Sequence, residues 1–310
     1  MPDIVTTLFL LGILAGLARS DLKVPKGTYD TLSILLMLAI GLKGGIALHG
    51  NLSLALVPEL LVVTALGIII PLLLYPLLRS WVRLSKADSA SFAAHYGSVS
   101  AGTFAVALAY VDELGLPVAP QTTLYLVLLE MPAIITGVVL YRRLGGGTGS
   151  MSSVLREAVT SRGVVLLLGG VIIGWLYGPD GLAPISGLFL DLFKGLLALF
   201  LLEMGLCTAG YLREWNSGQW RVVIFAALAP MLLVWFGLLT GIMLGLEPGT
   251  TLMLAVLTAS ASYIAAPAAI RNAIPEADAG KTMLASLGVT FPLNVVFGIP
   301  VYYGLLKLMI

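Results

Sequence analysis

The sequence has few of the side chains on which most soluble proteins depend. It holds one cysteine, Cys207, and two histidines, His49 and His95, among 310 residues. One cysteine excludes a disulfide framework and a cysteine-based metal cluster, and two histidines exclude the common zinc motifs. Charged residues make up 11% of the chain, against about 25% in soluble globular proteins. This scarcity argues against a soluble enzyme, a disordered chain and a nucleic-acid-binding protein, which needs a basic patch.

Apolar residues fill most of the remainder. They make up 59% of the chain, and the mean hydropathy is +1.02. A run of about 20 apolar residues crosses a bilayer as a helix, because lipid cannot satisfy unpaired backbone groups. The sequence therefore predicts an all-α polytopic membrane protein with ten transmembrane helices. The predicted spans are residues 3–19, 27–48, 53–78, 87–111, 120–141, 161–178, 186–211, 220–244, 249–274 and 281–308.

The basic residues are sorted to one side of these spans. Fourteen of the 17 Lys and Arg residues fall in loops on one side, and one, Lys307, falls on the other. Lys43 and Lys194 lie within spans. Cytoplasmic loops carry the excess of Lys and Arg in membrane proteins. The basic side is therefore predicted to be cytoplasmic, with both termini on the opposite side.

The two halves of the chain resemble each other. The matching positions, first half before second, are Gly12 and Gly170, Gly16 and Gly174, Gly41 and Gly205, Ser98 and Ser260, Ser100 and Ser262, and Pro132 and Pro292. Five spans in each half place the halves in opposite orientations, which predicts a 5+5 inverted-topology repeat. The predicted units are residues 1–144 and 161–310, joined by a flexible cytoplasmic linker at 145–160. Chance similarity between glycine-rich helices is the alternative.

The fourth and ninth spans are rich in small polar residues at matching places. The fourth holds Ser98 and Ser100 between two glycines, and the ninth holds Ser260 and Ser262 before Pro267. Interrupted spans at corresponding places point to the binding site of an inverted-repeat transporter. A half-helix N-terminus attracts anions, while freed carbonyls and hydroxyls coordinate Na⁺. The alternative is that these residues only permit close helix packing.

Several charged or amide side chains fall inside spans, where each needs a partner or a function. Glu130 precedes Pro132 in the fifth span, and Thr290 and Asn294 lie near Pro292 in the tenth. Glu130 is a candidate for binding a cation or carrying a proton, or for a structural hydrogen bond. Lys43 is predicted to hold an anion, to replace a cation or to pair with Glu203. Asp191 and Lys194, three residues apart, are predicted to pair.

These motifs resemble the cyanobacterial sodium-dependent bicarbonate transporters and their bacterial relatives. The resemblance covers most of the chain. Its sharpest parts are Ile40-Gly41-Leu42-Lys43-Gly44-Gly45, residues 97–103, Glu130-Met131-Pro132-Ala133 and residues 258–275. The order and spacing of these motifs carry the resemblance more than any one of them does.

The resemblance implies a core domain and a gate domain, a homotrimer, an elevator mechanism and a place in the bacterial plasma membrane. It implies bicarbonate and Na⁺ sites where helices 4 and 9 break and cross. Carried over by position, the substrate-binding residues are Gly97, Ser98, Ser100, Gly102, Thr103, Ser260, Ser262, Ala265 and Ala266. The expected ion-binding or coupling residues are Glu130, Ser100, Ser262, Thr290, Asn294 and Lys43, with Na⁺ at Ser100, Glu130 and Ser262. The resemblance implies Na⁺ as the coupling ion, and no other cofactor is expected.

The chain departs from the cyanobacterial pattern at its second break. Tyr263 stands where those proteins carry Asp, and Ala265, Ala266 and Ala268 replace Ser, Gly and Pro. Lys43 stands where the cyanobacterial proteins often carry Thr, so this chain has an additional positive charge there. The cytoplasmic loop is short, which weakens the expectation of a PII-like regulator docking there.

The sequence favours a secondary transporter that imports bicarbonate or a similar small anion by Na⁺ symport. A cation/proton antiporter with the same kind of repeat is the alternative, although such proteins usually carry Asp at the helix crossing. An intramembrane serine protease built on Ser100 and His95 is disfavoured, because the first glycine of G-x-S-x-G is missing. We therefore expect no enzyme activity.

Overall fold

The structure is a computed structural model that describes residues 4–51, 53–144, 152, 156 and 159–310. These residues form helices and turns, and no strand occurs among them. Twelve helices organise the described chain. They are α1 (Ile4–Leu17), α2 (Lys26–Leu48), α3 (Val57–Leu77), α4 (Lys86–Gly97), α5 (Ala101–Glu113), α6 (Leu124–Arg143), α7 (Arg162–Leu182), α8 (Phe193–Glu214), α9 (Trp220–Met243), α10 (Pro248–Thr258), α11 (Ala265–Ala273) and α12 (Ala279–Met309).

Seven of these helices are long and apolar enough to cross a membrane, namely α2, α3, α6, α7, α8, α9 and α12. Helices α1 and α10 are apolar but shorter. The fourth and ninth predicted spans are each divided, into α4 and α5 and into α10 and α11. The prediction of an all-helical multi-pass membrane protein is therefore confirmed, while the count of ten crossings stays a prediction. The predicted linker at 145–160 lies mostly outside the described residues.

Glycines bring two pairs of helices into backbone contact. Helix α2 packs on α7, where a Cβ on Gly41 would lie 3.0 Å from the Gly170 Cα. Helix α1 packs on α8, where a Cβ on Gly12 would lie 3.1 Å from the Gly205 Cα. Small residues permit this approach, and van der Waals contact then holds helices together in lipid, where no hydrophobic force does so. The glycines at the matching positions of the two halves therefore lie where these helices pack against each other.

The remaining helices surround the two divided spans. Helix α6 packs on α3 and α4, and α9 packs on α10 and on the first part of α12. Helix α8 also contacts α12, so the glycine-paired helices and the divided spans share a boundary.

Helix α12 is widened in two places. Its backbone takes π-helical form at Leu284–Thr290 and at Asn294–Gly298, on either side of Pro292. Proline removes one backbone donor and clashes with the carbonyl one turn earlier, and π-bulges are common at functional sites. The widening places Thr290 and Asn294 against the divided spans.

Candidate functional site

The fourth span is interrupted where the sequence predicted. Helix α4 ends at Gly97, and Ser98 and Ser100 are extended, with ψ of −177° and 112°. Helix α5 then starts at Ala101. The Ser100 hydroxyl caps it, accepting hydrogen bonds from the Thr103 N–H at 3.0 Å and the Thr103 hydroxyl at 2.8 Å. Ser100 thus caps the second half-helix, three residues after the first one ends.

The ninth span is interrupted in the same way. Helix α10 ends at Thr258, and α11 starts at Ala265. The Ser262 hydroxyl accepts a hydrogen bond from the Ala266 N–H at 3.0 Å. Pro267 is the third residue of α11, where the helix leaves N–H groups without partners and a missing donor costs nothing.

The two interruptions are joined by a reciprocal pair of hydrogen bonds. The Ser100 N–H donates to the Ser260 hydroxyl at 2.9 Å, and the Ser262 N–H donates to the His95 carbonyl at 2.8 Å. The Ser260 hydroxyl in turn donates to the Leu257 carbonyl at 2.8 Å. Each serine is at most 2% exposed. The two Ser-x-Ser motifs therefore build one buried crossing.

Two helix N-termini converge on this crossing. The first turn of a helix leaves backbone N–H groups without helical partners and carries a partial positive charge. Among the described residues, side-chain caps satisfy the Thr103 N–H in α5 and the Ala266 N–H in α11. The first N–H groups of α5 and α11 remain, and they give the crossing the character of an anion site.

A small cavity lies against the N-terminus of α5. It has a volume of about 10 Å³, room for about one water molecule. Ala101, Gly102 and Ile264 line it from the crossing, and Phe200 of α8 lines it from the facing side. Helix α2 contributes one continuous face, formed by Ser33, Leu36, Met37 and Ile40.

Three buried hydroxyls around the cavity and crossing have no hydrogen-bond partner among the described residues. They belong to Ser33, Ser98 and Tyr263. The Tyr263 hydroxyl lies beside the Gly102 amide and the Ser100 hydroxyl without forming a well-shaped hydrogen bond to either. Buried polar groups are normally satisfied. Ser33 lines the cavity and Ser98 and Tyr263 belong to the interruptions, so a polar ligand bound there could complete their contacts.

Thr290 and Asn294 support the crossing from α12. The Asn294 amide donates to the Ala259 carbonyl at 2.8 Å, and its oxygen accepts from the Tyr302 hydroxyl at 2.6 Å. The Thr290 hydroxyl donates to the Ala226 carbonyl at 2.7 Å and lies 2.7 Å from the Tyr96 hydroxyl oxygen. Asn294 therefore holds the backbone at the second interruption, while Thr290 ties α12 to α9 and to the Tyr96 side chain near the end of α4.

Gly97, Ala265 and Ala266 lie on packed surfaces. A Cβ on Gly97 would meet Pro71 and the Ala133 Cβ, on α3 and α6. Ala265 and Ala266 pack with Ile134 of α6. These three residues bring backbone close to the crossing, while their side-chain faces contact neighbouring helices.

Glu130 lies one turn before Ile134 on α6, apart from the serine hydroxyls. A Cβ on Gly163 would lie 3.9 Å from its Oε1 and 3.6 Å from the Cε of Met37, which lines the cavity. Within the described ranges, no side chain donates a hydrogen bond to Glu130 or forms an ion pair with it. The structure does not bring Glu130 into contact with Ser100 or Ser262.

Lys43 lies further along α2, about one turn past Ile40. Its Nζ is 4.7 Å from the centroid of the Phe193 ring. The predicted pairing with Glu203 is wrong, since that carboxylate accepts from the Cys207 thiol at 3.5 Å instead. The predicted Asp191–Lys194 pair is also missing from the ion pairs of the described chain. The chain turns at Leu192 between the π-helical turn that ends at Asp191 and α8.

Sequence analysis missed the side of the cavity that faces the crossing. Ser33, Leu36, Met37 and Ile40 follow helical spacing i, i+3, i+4 and i+7. Ser33 is a polar residue in an apolar run, and this could have indicated that its face of α2 contacts a polar site. Phe200 carried no signal, because an aromatic residue in a membrane helix is ordinary.

Long apolar helices, with two divided spans joined at a buried polar crossing, define a multi-pass membrane protein of the kind that transports small solutes. The sequence profile of the Na⁺-dependent bicarbonate transporter superfamily matches residues 4–307, and the chain belongs to that family. This match confirms the resemblance seen in the motifs. Among individually curated proteins, none matches the chain significantly.

Proposed function

We propose that the protein is a secondary transporter that imports bicarbonate or a similar small anion by Na⁺ symport. The observation that carries the proposal is the meeting of two half-helix N-termini beside the unpartnered hydroxyls of Ser33, Ser98 and Tyr263. Helix N-termini attract negative charge, and neutral hydroxyls can donate to a carboxylate-like oxygen without a full positive charge. Such a site suits a compact monovalent anion.

Tyr263 has a specific place in this proposal. A carboxylate at this position would repel an anion at the N-terminus of α5, whereas a tyrosine hydroxyl can donate to one. Its ring packs edge-on against Phe291, with centroids 5.2 Å apart, which holds the hydroxyl near Gly102. The tyrosine therefore supports an anion-binding role for this crossing.

Oxygen atoms at the interruptions are the proposed Na⁺ ligands. Freed carbonyls and hydroxyls of divided helices coordinate Na⁺ in transporters of this kind. Ser100 and Ser262 supply hydroxyls within the crossing, with Glu130 one packed layer away. We assign Glu130 to coupling rather than to direct contact with the anion.

The cavity supports a mechanism with moving parts. Bicarbonate has four heavy atoms and does not fit a space of about 10 Å³, which holds about one water molecule. The faces of α2 and α8 must separate from α5 and α11 to admit it. We propose that α1, α2, α7 and α8 form the gate, that the other helices form the mobile core, and that the core moves as an elevator.

The helix contacts also support the inverted repeat. The first predicted span of each half packs on the second span of the other half, as α1 on α8 and α7 on α2. A two-fold axis in the membrane plane would relate these two pairs. With the basic loops cytoplasmic, both termini lie outside the cell. The homotrimer and the bacterial plasma membrane belong to the proposal through the family resemblance.

Uptake of labelled bicarbonate into proteoliposomes tests the function. We expect uptake to depend on an inward Na⁺ gradient and to collapse when the gradient is dissipated. Formate, acetate and other small carboxylates added as competitors would define the anion. Bicarbonate uptake that does not depend on the Na⁺ gradient would overturn symport. Na⁺/H⁺ exchange without anion transport would establish the antiporter alternative.

The unpaired carboxylate of Glu130 gives a prediction that separates these two functions. We expect Glu130→Gln to raise the Na⁺ concentration needed for half-maximal bicarbonate uptake by about tenfold, because a charged cation ligand or coupling group is lost. Glu203→Gln, a carboxylate on α8 that already accepts a hydrogen bond from the Cys207 thiol, is the matched control. Wild-type Na⁺ dependence in Glu130→Gln would remove Glu130 from coupling, and loss of Na⁺/H⁺ exchange alone would favour the antiporter.

A further inference from the structure

An apolar groove runs along the outside of the protein between α3 and α9. It has a volume of about 300 Å³ and is lined only by apolar side chains, including Leu77 at the end of α3, Trp81 in the π-helical turn that follows, and Leu228 and Leu232 on α9. Leu228 and Leu232 are 50% and 60% exposed. The groove is therefore open to the side, and its apolar lining suits a hydrocarbon chain.

A basic cavity adjoins the end of this groove at the face where Lys and Arg are concentrated. Its volume is about 470 Å³, and Arg83, Arg221 and Lys281 line it together with Asp88. The same two helix ends build both spaces. Trp81 of the groove comes two residues before Arg83, and Phe225 of the groove comes one turn after Arg221.

The charged side chains that line the basic cavity differ in whether they form ion pairs. Lys281 lies 3.3 Å from carboxylate oxygens of both Asp88 and Asp278, and Asp88 also accepts from the Asp278 N–H at 2.8 Å. Among the ion pairs of the described residues, none involves Arg83 or Arg221. Asp88 is therefore occupied by its own neighbours, and two arginines face the cavity without a carboxylate.

Both arginines are held in position by local structure. Arg83 has φ of +62°, a left-handed conformation that is uncommon outside glycine, asparagine and aspartate. It follows a π-helical turn at Leu78–Val82, and the Leu84 N–H donates to the Leu78 carbonyl at 3.2 Å. Arg221 lies over the Trp220 ring, 5.2 Å from its centroid. Backbone contacts thus fix the position of Arg83, the Trp220 ring orients the Arg221 guanidinium, and both residues line the basic cavity.

We propose that this continuous surface binds one anionic phospholipid of the leaflet on the basic side. An acyl chain would lie in the groove between α3 and α9, and the phosphate would be held by Arg83 and Arg221, whose planar guanidinium groups match phosphate geometry. Trp81 and Trp220 stand at the junction, where interfacial tryptophans mark the headgroup level of a membrane. The lipid would join α3 to α9, and these helices pack on α4 and α10, the first halves of the divided spans.

The test measures lipid retention by the intact purified protein. Phosphatidylglycerol or phosphatidylcholine of the same acyl length is titrated in detergent, and bound lipid is counted by native mass spectrometry alongside the thermal unfolding midpoint. We expect the wild type to retain phosphatidylglycerol preferentially. Arg83→Gln with Arg221→Gln should weaken that preference by about fivefold per arginine. Arg213→Gln with Arg271→Gln, on the same basic face but outside the cavity, is the matched control.

Two further measurements separate the lipid from other occupants. Leu228→Trp fills the groove and should reduce retention of both lipids, while glycerol phosphate without acyl chains should not raise the unfolding midpoint. Equal retention of the two lipids, or full stabilisation by glycerol phosphate, would overturn the proposal. So would a change of oligomeric mass in Leu228→Trp with unchanged lipid retention, since the groove would then be a contact between copies.

Discussion

Replacing Gly102 with alanine is expected to abolish bicarbonate uptake while the protein still folds. A Cβ at this position would collide with the Tyr263 hydroxyl and would lie 3.2 Å from Phe200 and 3.3 Å from Phe291. Overfilling a packed site of this kind costs about 1–3 kcal/mol. The added methyl group would also cover the α5 N-terminus, where we place the anion. We expect uptake to fall more than tenfold, with little change in the amount of folded protein.

The collision with the Tyr263 hydroxyl can be tested with a double variant. Tyr263→Phe removes that hydroxyl, so the double variant should recover part of the lost activity, although the methyl group still covers the α5 N-terminus and keeps uptake below that of Tyr263→Phe alone. Tyr263→Phe by itself should bind the anion less tightly, because one donor is lost. Gly195→Ala, a glycine of α8 with open space around it, should transport normally. Strictly additive losses in the double variant would show that the hydroxyl is not the obstacle.

Gly205→Ala is expected to cause a large loss of stability. A Cβ on Gly205 would press on the Phe9 carbonyl oxygen and would lie 2.8 Å from the Ile13 nitrogen and 2.9 Å from the Gly12 Cα. All three atoms belong to the backbone of α1, which cannot turn away as a side chain can. The two helices must separate, which costs at least the 1–3 kcal/mol typical of overpacking and also weakens every contact along the pair. Thermal unfolding in detergent would show a clearly lower midpoint.

Gly210→Ala in the same helix is the matched control, because no atom of another residue lies within contact distance of its added Cβ. We expect its midpoint to equal or exceed that of the wild type, since alanine favours helix more than glycine does. If both variants unfold alike, the loss arises from the helix itself and not from its contact with α1. The comparison of the two variants thus isolates the contribution of the contact between α1 and α8.

Much of the site could be predicted because it is built from local backbone chemistry. Closely spaced serines and glycines, or serines before a proline, favour an interruption in a membrane helix, so the divisions near Ser98 and Ser260 could be predicted from short stretches of sequence. The two Ser-x-Ser motifs occupy matching positions, which was enough to predict that they meet. Their hydrogen bonds to each other, such as Ser100 N–H to Ser260, required the folded structure.

Contacts between side chains on different helices were predicted less well. Lys43 and Glu203 looked like partners because each was a lone charge in its span, yet Lys43 lies on Phe193 and Glu203 on Cys207. The rotation of each helix about its axis decides such pairings, and packing against all neighbours sets that rotation. Ser33 was overlooked for the same reason, since nothing local says that its face of α2 meets α5.

By itself the sequence determined that the protein is a helical membrane protein, where its helices divide and which family it resembles. Hydropathy, helix-breaking residues and motif order act within short stretches of chain, so they can be read from residues in order. Only the tertiary structure decided what surrounds the crossing: the Tyr263 hydroxyl over Gly102, the face of α2 across the cavity, and the two arginines beside an apolar groove. These arrangements depend on helices distant in sequence, and their relative positions come from packing the whole chain at once.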